Sequence, residues 1–480
     1  MHINNSVIVK ILLIVILFWG LLLRLYGVID NHSFWSDEAL SASFARDIVL
    51  NQTQIIKGAT TISYQPLHVL TMALFMKILG TSEFSARLPY VIFGAVGIIL
   101  AYLLAEKLSG RAGGLLAAFL IAFSQLNLAN STQAKPTAAT QTLVLLMCYL
   151  LIRLQDSTSD KKIIFHFFII LTLIGSALYH FLGGIAVILY FSYLLFSQKN
   201  VRTGFFLLMI AFLGFIIYLN AGVSTGIFNN TMYLKNLLLK QYGIFLIPML
   251  LSMFFLFKKR KTFVISVLTY SFAILFWWNF QSYSHNLRYI APYMALLFVF
   301  AGTGFAQLGN LILKRKSWIV LLAVFIFFFI SGYKLVLRPQ AYYNPNLDFY
   351  GDVQIADYKT FYTKLKAKYS DLNSVVVFND VLDAQRWYLN KEPDTYFSKG
   401  IKKPLTHRLT GKKIYGSLKD FLVLKEKNKK GFLIVEDWES ILPEDIKQYA
   451  KKNLKLQLRV ESLPNAKNDP WPLELYSWGL

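Results

Sequence analysis

Long apolar runs separated by short polar stretches alternate along the first two thirds of the chain. A helix needs about 20 mostly apolar residues to cross a bilayer. By that measure the pattern predicts roughly eleven transmembrane helices. They are expected near residues 7–29, 88–106, 112–130, 136–153, 163–181, 183–197, 203–219, 242–257, 262–280, 289–313 and 317–333.

Beyond residue 333 the pattern changes to short alternating segments rich in both charges. The stretch "SVVVFNDVLDAQRWYLN" predicts a strand, a turn and a helix, and "GFLIVEDWES" predicts a second strand. We therefore expect two domains. Residues 1–333 form a multi-pass α-helical membrane domain, and residues 334–480 form a small α/β domain.

Lysine and arginine in the short loops predict the orientation, because such residues collect on the cytoplasmic side. One alternating set of loops carries most of the charge: Lys107, Arg111, Arg153, Lys161, Lys162, Lys199, Arg202, "KKRK" 258–261 and "KRK" 314–316. The other set holds Lys135, Lys235, Lys240 and Arg288. The N-terminus is therefore expected in the cytoplasm. The first outer loop, residues 30–87, and the tail are expected to be extracytoplasmic.

Composition narrows the classes of function. The formal net charge of +23 would be compatible with nucleic-acid binding, but the basic residues lie where membrane topology requires them. We therefore expect a lipid bilayer and no nucleic acid as a partner.

The single cysteine, Cys148, excludes an intramolecular disulfide and a cysteine metal site. The first apolar segment is longer than a signal-peptide core, so we interpret it as a retained helix.

Acidic residues are rare in residues 1–333, and most of them fall in the first outer loop, where Asp37 and Glu38 are adjacent in "HSFWSDEALSASFARDI". The following "EALSASFARDIVL" and the later "PLHVLTMALFMKILG" predict amphipathic helices along the outer membrane surface. Two interpretations of the acid pair remain open. It caps the helix that follows Ser36, or it is a reactive site near the lipid headgroups.

Several stretches resemble the bacterial branch of the protein O-mannosyltransferase superfamily. They are "FWSDEA", "YQPLHVLTMALFMKILG", "SEFSARLPYVIFGAVGIILAYLLAEKLSGRAGGLLAAFL", "ALYHFLGG", "RYIAPY" and, in the tail, "QRWYL". These GT-C fold glycosyltransferases include the aminoarabinose transferase of lipid A and the galacturonic-acid transferases of lipopolysaccharide. The resemblance implies a GT-C fold with a small outer domain, in the bacterial cytoplasmic (inner) membrane.

The resemblance also implies a reaction. A sugar moves with inversion from a polyprenyl-phosphate donor to an extracytoplasmic hydroxyl of a glycolipid, a cell-surface glycan or a protein. Asp37 would be the general base, supported by Glu38. Cations suit a lipid-phosphate leaving group better than a second acid. Candidate contacts to the donor phosphate or sugar are Lys135, Arg288, Tyr289, His180, Tyr179, Gln65, His68 and Tyr64. Gln65 stands where the aminoarabinose transferase has a lysine, so it could supply only an amide hydrogen bond. For the others an anchoring role at the membrane interface is the alternative.

No cluster of residues with metal-ligand spacing accompanies the acid pair, so we expect a metal-independent enzyme without a cofactor, although a divalent ion is not excluded. Two alternative functions remain. One is a lipid-linked oligosaccharide ligase of the same fold. The other is a transporter or flippase for an amphipathic lipid, which would more typically place ionisable groups in mid-membrane.

Overall fold

The computed structural model describes residues 5–29, 32–61, 65–197, 234–281, 287–312, 317–340, 342–343, 356–369, 371–380, 384–407, 410–436, 440–463 and 472–480. The chain divides into two compact units. The first, called the helical unit, comprises Met1–Asp30, Ile62–Thr71 and Arg87–Gly351. The second, called the outer unit, comprises Asn31–Thr61, Met72–Ala86 and Asp352–Leu480.

The helices described up to residue 331 are mostly apolar. They are α1 (Asn5–Ile29), α2 (Ser36–Val49), α3 (Ile55–Thr61), α4 (Pro66–Leu79), α5 (Glu83–Ser109), α6 (Arg111–Phe123), α7 (Gln125–Ser131), α8 (Thr137–Asp156), α9 (Ser159–Tyr179), α10 (Val187–Ser197), α11 (Gly243–Gln281), α12 (Ala291–Ile312) and α13 (Ser317–Ser331). Short 3₁₀ segments, Phe181–Ala186 and Leu287–Ile290, precede α10 and α12.

Six of the described helical segments are long and apolar enough to cross a membrane: Val7–Ile29, Glu83–Ser109, Thr137–Asp156, Asp160–Tyr179, Gly243–Asn279 and Leu287–Ile312. Four further apolar segments are shorter: Pro66–Leu79, Arg111–Phe123, Phe181–Ser197 and Leu322–Ser331. The predicted multi-pass helical fold is confirmed, while the count of eleven spans stays a prediction. The span expected at 203–219 lies outside the described residues.

Two predicted spans differ from the observed helices for local reasons. The segment expected at 112–130 is divided into α6 and α7 because Ser124 adopts an extended backbone conformation. The spans expected at 242–257 and 262–280 continue into each other as α11, with a kink at Arg260, whose φ is −136° and ψ is 39°. The kink falls within the basic loop that the sequence placed between the two spans.

The end of α6 is stabilised by a charge that sits inside α1. The buried guanidinium of Arg24 donates to the carbonyl oxygens of Ala122, at 3.0 Å, and Ile121, at 3.3 Å. The last carbonyls of a helix have no partner within the helix, and a cation there is favoured by the helix dipole. Arg24 thereby satisfies the carbonyls where the backbone leaves the helical path at Ser124.

The core of the helical unit lies around α12, which packs against both α6 and α11. Glycines allow this close approach. A Cβ atom built on Gly302 would lie 2.6 Å from the backbone nitrogen of Ala117, and one on Gly304 would lie 1.9 Å from the carbonyl oxygen of Pro248. Small residues at such crossings let helix backbones approach closely in a membrane.

The outer unit contains one seven-stranded mixed sheet in the order β3-β4-β2-β1-β5-β7-β6. Its strands are β1 (Val376–Asp380), β2 (Thr395–Phe397), β3 (Leu405–Thr406), β4 (Lys413–Tyr415), β5 (Gly431–Glu436), β6 (Lys455–Val460) and β7 (Leu473–Trp478). Its helices are α14 (Tyr358–Lys368), α15 (Gln385–Leu389), α16 (Leu418–Lys427) and α17 (Glu444–Asn453). The predicted α/β character of the tail is confirmed, including β1 and β5.

Part of the first outer loop belongs to this same unit. The Ser33 hydroxyl donates to the carbonyl of Ala356 at 2.9 Å and accepts the backbone N–H of Tyr358 at 3.1 Å. The hydroxyl of Tyr388 accepts the backbone N–H of Phe34 at 2.8 Å. The compact unit therefore combines the tail with outer-loop residues. The sequence-based division at residue 333 stays a prediction about domain organisation.

The close packing at Gly304 gives a testable prediction. We expect Gly304→Ala to destabilise the protein by about 1–3 kcal/mol, because the added methyl overlaps rigid backbone at Pro248. The matched control is Gly175→Ala in α9, where the methyl would meet only a Leu143 side-chain carbon at 3.9 Å. Thermal unfolding in detergent compares the two variants. Equal melting temperatures would contradict the packing of α12 against α11.

Candidate functional site

Asp37 lies in the first turn of α2, where the sequence placed the acid pair. Its side chain is exposed. The backbone N–H groups at a helix N-terminus favour a nearby negative charge. Asp37 is thus an accessible acidic group at the start of a helix.

Glu38 has a different environment from its neighbour. Its side chain is fully buried, and its Oε2 accepts the backbone N–H of Trp35 at 3.1 Å. The same oxygen lies 3.9 Å from Nε2 of His32. A glutamate that bonds back to the residue before the helix forms one half of a capping box. Glu38 therefore holds the start of α2 in place, and its carboxylate is enclosed by protein.

Helix α2 is held against the tail by Arg386 of α15. The Arg386 guanidinium pairs with Asp47, lies 2.8 Å from Oε1 of Glu392 and covers the ring of Phe44 at 4.4 Å from the ring centre. Arg46 of α2 in turn donates to the backbone carbonyl oxygens of Trp387 and Arg386 in α15. The apolar face predicted to lie on the membrane surface packs here against protein, with Phe44 buried.

A partly open cavity of about 70 Å³ lies beside Asp37 within the outer unit. The first residues of α2 and residues of the tail line it together, among them Glu392, Tyr396, His407 and Thr410. Burial lowers the pKa of His407 below its usual value, while Glu392 acts in the opposite direction. His407 is therefore neutral at neutral pH. Of the predicted site residues that the structure describes, only Asp37 lines this cavity.

In the helical unit the structure brings together three of the predicted site residues. Arg288 donates through Nη2 to the Tyr289 hydroxyl at 3.1 Å, and its guanidinium lies 5.0 Å from the centre of the same ring. Trp277 packs edge-on against Tyr289, with centroids 6.0 Å apart, and also against Phe181. His180 packs on Phe181. These residues form a cationic and aromatic cluster.

His180 is neutral in this cluster. Burial, together with the positive charge of Arg288, lowers the pKa of His180 to about 3. Its Nδ1 accepts the backbone N–H of Leu182 at 3.1 Å, which assigns the ring proton to Nε2. His180 is thus a neutral hydrogen-bond donor close to a permanent cation.

The remaining predicted residues occupy separate environments in the helical unit. The Tyr179 hydroxyl bonds to Thr71 at 2.6 Å, and its ring packs edge-on against Phe93. His68 is buried and bonds through Nδ1 to the Tyr90 hydroxyl. Gln65 is half-buried at the start of α4, and Lys135 is buried between α7 and α8. Tyr64 lies outside the described residues.

Sequence reasoning missed several buried polar groups. Arg24 was visible as a charge within an apolar segment, which is costly enough in a membrane to indicate a partner. Asn127 and Gln141 bond to each other at 2.8 Å between α7 and α8, and no pattern in the sequence joins them. Arg386 lies within the "QRWYL" motif, but its pairing with Asp47 depends on the folding of distant segments.

Within the described residues, no group of three or more His, Cys, Asp or Glu side chains is placed to hold a metal ion. The acid pair does not supply such a group, because Glu38 is engaged at the start of α2. Metal independence stays a prediction.

Comparisons with known proteins agree with this architecture. Residues 63–221 match the dolichyl-phosphate-mannose-protein mannosyltransferase family. ArnT from Cupriavidus metallidurans in the apo state is similar with a TM-score of 0.63 and 11% identity, over 97% of each chain. The same protein bound to undecaprenyl phosphate is similar with a TM-score of 0.59 and 11% identity, over 99% of this chain and 98% of that one.

A third similar structure is the Archaeoglobus fulgidus oligosaccharyltransferase tethered with an acceptor peptide. Its TM-score is 0.58 and its identity 11%, over 90% of this chain and 69% of that one. No curated protein matches the chain by sequence. The chain therefore has the GT-C fold of these structures, and its residues 63–221 resemble the protein mannosyltransferase family.

Proposed function

We propose that this protein transfers a sugar, with inversion, from a polyprenyl-phosphate donor to a hydroxyl group on the extracytoplasmic side of a bacterial cytoplasmic membrane. The acceptor is a glycolipid, a surface glycan or a protein. The donor class is supported by the similarity to ArnT bound to undecaprenyl phosphate. The observation that carries the proposal is the contrast between the two adjacent acids, since Glu38 is buried and engaged while Asp37 is exposed beside a polar cavity.

In this proposal Asp37 is the general base. The acceptor oxygen forms a bond to the anomeric carbon while its proton passes to the Asp37 carboxylate. The bond between the anomeric carbon and the phosphate oxygen breaks, and its electron pair leaves with the phosphate. A carboxylate within hydrogen-bond reach of an attacking hydroxyl is suited to this transfer. Glu38 contributes by fixing the first turn of α2, and so acts as a positioning residue.

Arg288 is the proposed contact to the donor phosphate. A guanidinium binds phosphate oxygens through charge-assisted hydrogen bonds, and its charge stabilises the leaving group as negative charge develops there. Tyr289 orients the guanidinium, and neutral His180 adds a donor without adding a second cation. Lys135, Gln65, His68, Tyr179 and Tyr64 remain proposed secondary contacts to the donor.

The oligosaccharide ligase remains the second candidate, because the fold also resembles an oligosaccharyltransferase. In our proposal the donor carries a single sugar. The two are distinguished by extracting lipids from cells that lack the protein and identifying polyprenyl-phosphate sugars and surface glycans by mass spectrometry. Our proposal requires accumulation of one single-sugar donor and loss of one glycan residue. Accumulation of a lipid-linked oligosaccharide would support the ligase instead.

The role of Asp37 predicts the effect of Asp37→Asn. We expect transfer from a polyprenyl-phosphate sugar to fall by about a hundredfold or more, because general-base catalysis typically contributes 10²–10⁴-fold. The matched control is Asp160→Asn, which removes another exposed acid from the first turn of a helix, α9. Turnover is measured on purified protein in lipid nanodiscs. Near-normal turnover by folded Asp37→Asn protein would remove Asp37 from the chemistry.

The role of Arg288 predicts weaker binding of the lipid phosphate. We expect Arg288→Gln to weaken inhibition by undecaprenyl phosphate about tenfold to a hundredfold, the range for loss of a charge-assisted hydrogen bond. Arg338→Gln is the control, because Arg338 is exposed in the same unit and has no proposed role. Inhibition constants are compared in the transfer assay. Equal constants for the two variants would reject the phosphate contact.

A further inference from the structure

The cavity beside Asp37 has polar walls that belong to one compact unit. Asp37 contributes from the start of α2, while Glu392, Tyr396, His407 and Thr410 contribute from the tail. The tail thus supplies most of the polar groups around the proposed base.

Hydrogen bonds and packing fix the positions of these walls. The Tyr396 hydroxyl donates to Oε2 of Glu392 at 2.8 Å, and the other oxygen of Glu392 lies 2.8 Å from Arg386. The ring of His407 packs on Tyr396 with centroids 4.9 Å apart. His407 Nδ1 lies 3.0 Å from the Thr410 hydroxyl. A cavity with walls held in this way is organised before a ligand arrives.

The charge around the cavity is negative. Asp37 and Glu392 line it, and Arg386, the cation on its wall, is paired with both Glu392 and Asp47. His407 adds no charge at neutral pH because burial lowers its pKa. A phosphate or carboxylate ligand would meet like charge here, which is unfavourable. A neutral ligand would not.

The cavity offers both hydrogen-bond acceptors and donors. The carboxylates accept, and the neutral His407 ring donates through Nε2, since its Nδ1 accepts the backbone N–H of Thr410. A hydroxyl group donates and accepts at the same time, so several hydroxyls on one ring suit this mixture. A volume of about 70 Å³ is sufficient for the hydroxyl-bearing edge of one sugar.

We propose that this cavity is the acceptor subsite and that it binds the hydroxyl-bearing edge of a neutral sugar, with one hydroxyl directed to Asp37. This inference rests on the proposed function and narrows the acceptor to a carbohydrate. Thr410 and His407 are then specificity residues for the acceptor, and Glu392 accepts from a hydroxyl that does not react.

The test is saturation-transfer NMR on the full-length protein in lipid nanodiscs. The probes are methyl α-mannoside and methyl β-glucoside as neutral sugars, methyl β-glucuronide as an anionic sugar, and a serine-containing peptide. Thr410→Trp fills the cavity. Thr406→Trp is the matched control, because Thr406 is exposed and does not line the cavity. A milder variant, Thr410→Val, removes only the hydroxyl, and melting temperatures verify folding.

We expect a neutral glycoside to bind wild-type and Thr406→Trp protein equally, and to bind Thr410→Trp at least tenfold more weakly. The glucuronide should bind wild-type protein more weakly than the neutral sugars. Equal binding of the neutral glycosides to all folded variants, or binding of the peptide alone, would overturn the inference. If Asp37→Asn abolishes transfer in that case, the proposed function survives and only the acceptor assignment fails.

Discussion

The ion pairs of Arg386 are the interaction on which the proposed site depends. One guanidinium, in the tail, binds Asp47 near the end of α2 and Glu392 beside the cavity. It therefore connects the helix that carries Asp37 to the residues that face Asp37. Separating the partners of such a pair leaves an unpaired charge, and the cost of that unpaired charge exceeds the energy that the pair itself contributes. Positions of α2 in which Asp47 and Arg386 are apart are therefore unfavourable.

The two adjacent acids have different environments. Glu38 closes the start of α2 through the Trp35 N–H, while Asp37, one residue earlier, points to the polar cavity. Successive residues on a helix face directions about 100° apart, so one of two neighbours can be enclosed while the other is exposed. Capping and catalysis are therefore compatible interpretations of the same dipeptide.

The sequence predicted the elements and not the contacts between them. Apolar runs predicted the transmembrane helices, and alternation predicted β1 and β5, because both signals are local in the chain. The division of α6 from α7 was missed, since it depends on Arg24 reaching carbonyls from another helix. Arg386 and Asp47 lie 339 residues apart, and no periodicity connects them.

The candidate site was predictable to a similar degree. Asp37 and Arg288 could be proposed as site residues because charged residues are rare in this part of the chain and because both lie in motifs that resemble the family. A charged side chain close to the membrane is costly and usually has a function. Which of Asp37 and Glu38 is buried depends on the packing of Trp35 and His32, and this could not be derived from composition. The cavity wall was missed because Tyr396, His407 and Thr410 carry no motif of their own.

The most direct test of the central claim is the pH dependence of kcat/KM in wild-type protein and in Asp37→Asn. If the Asp37 carboxylate takes the acceptor proton, the wild-type profile has an acidic limb, where activity rises as that carboxylate ionises. The account predicts that this limb is absent from the residual activity of the variant. An unchanged acidic limb in Asp37→Asn would show that another group accepts the proton, and would contradict the account.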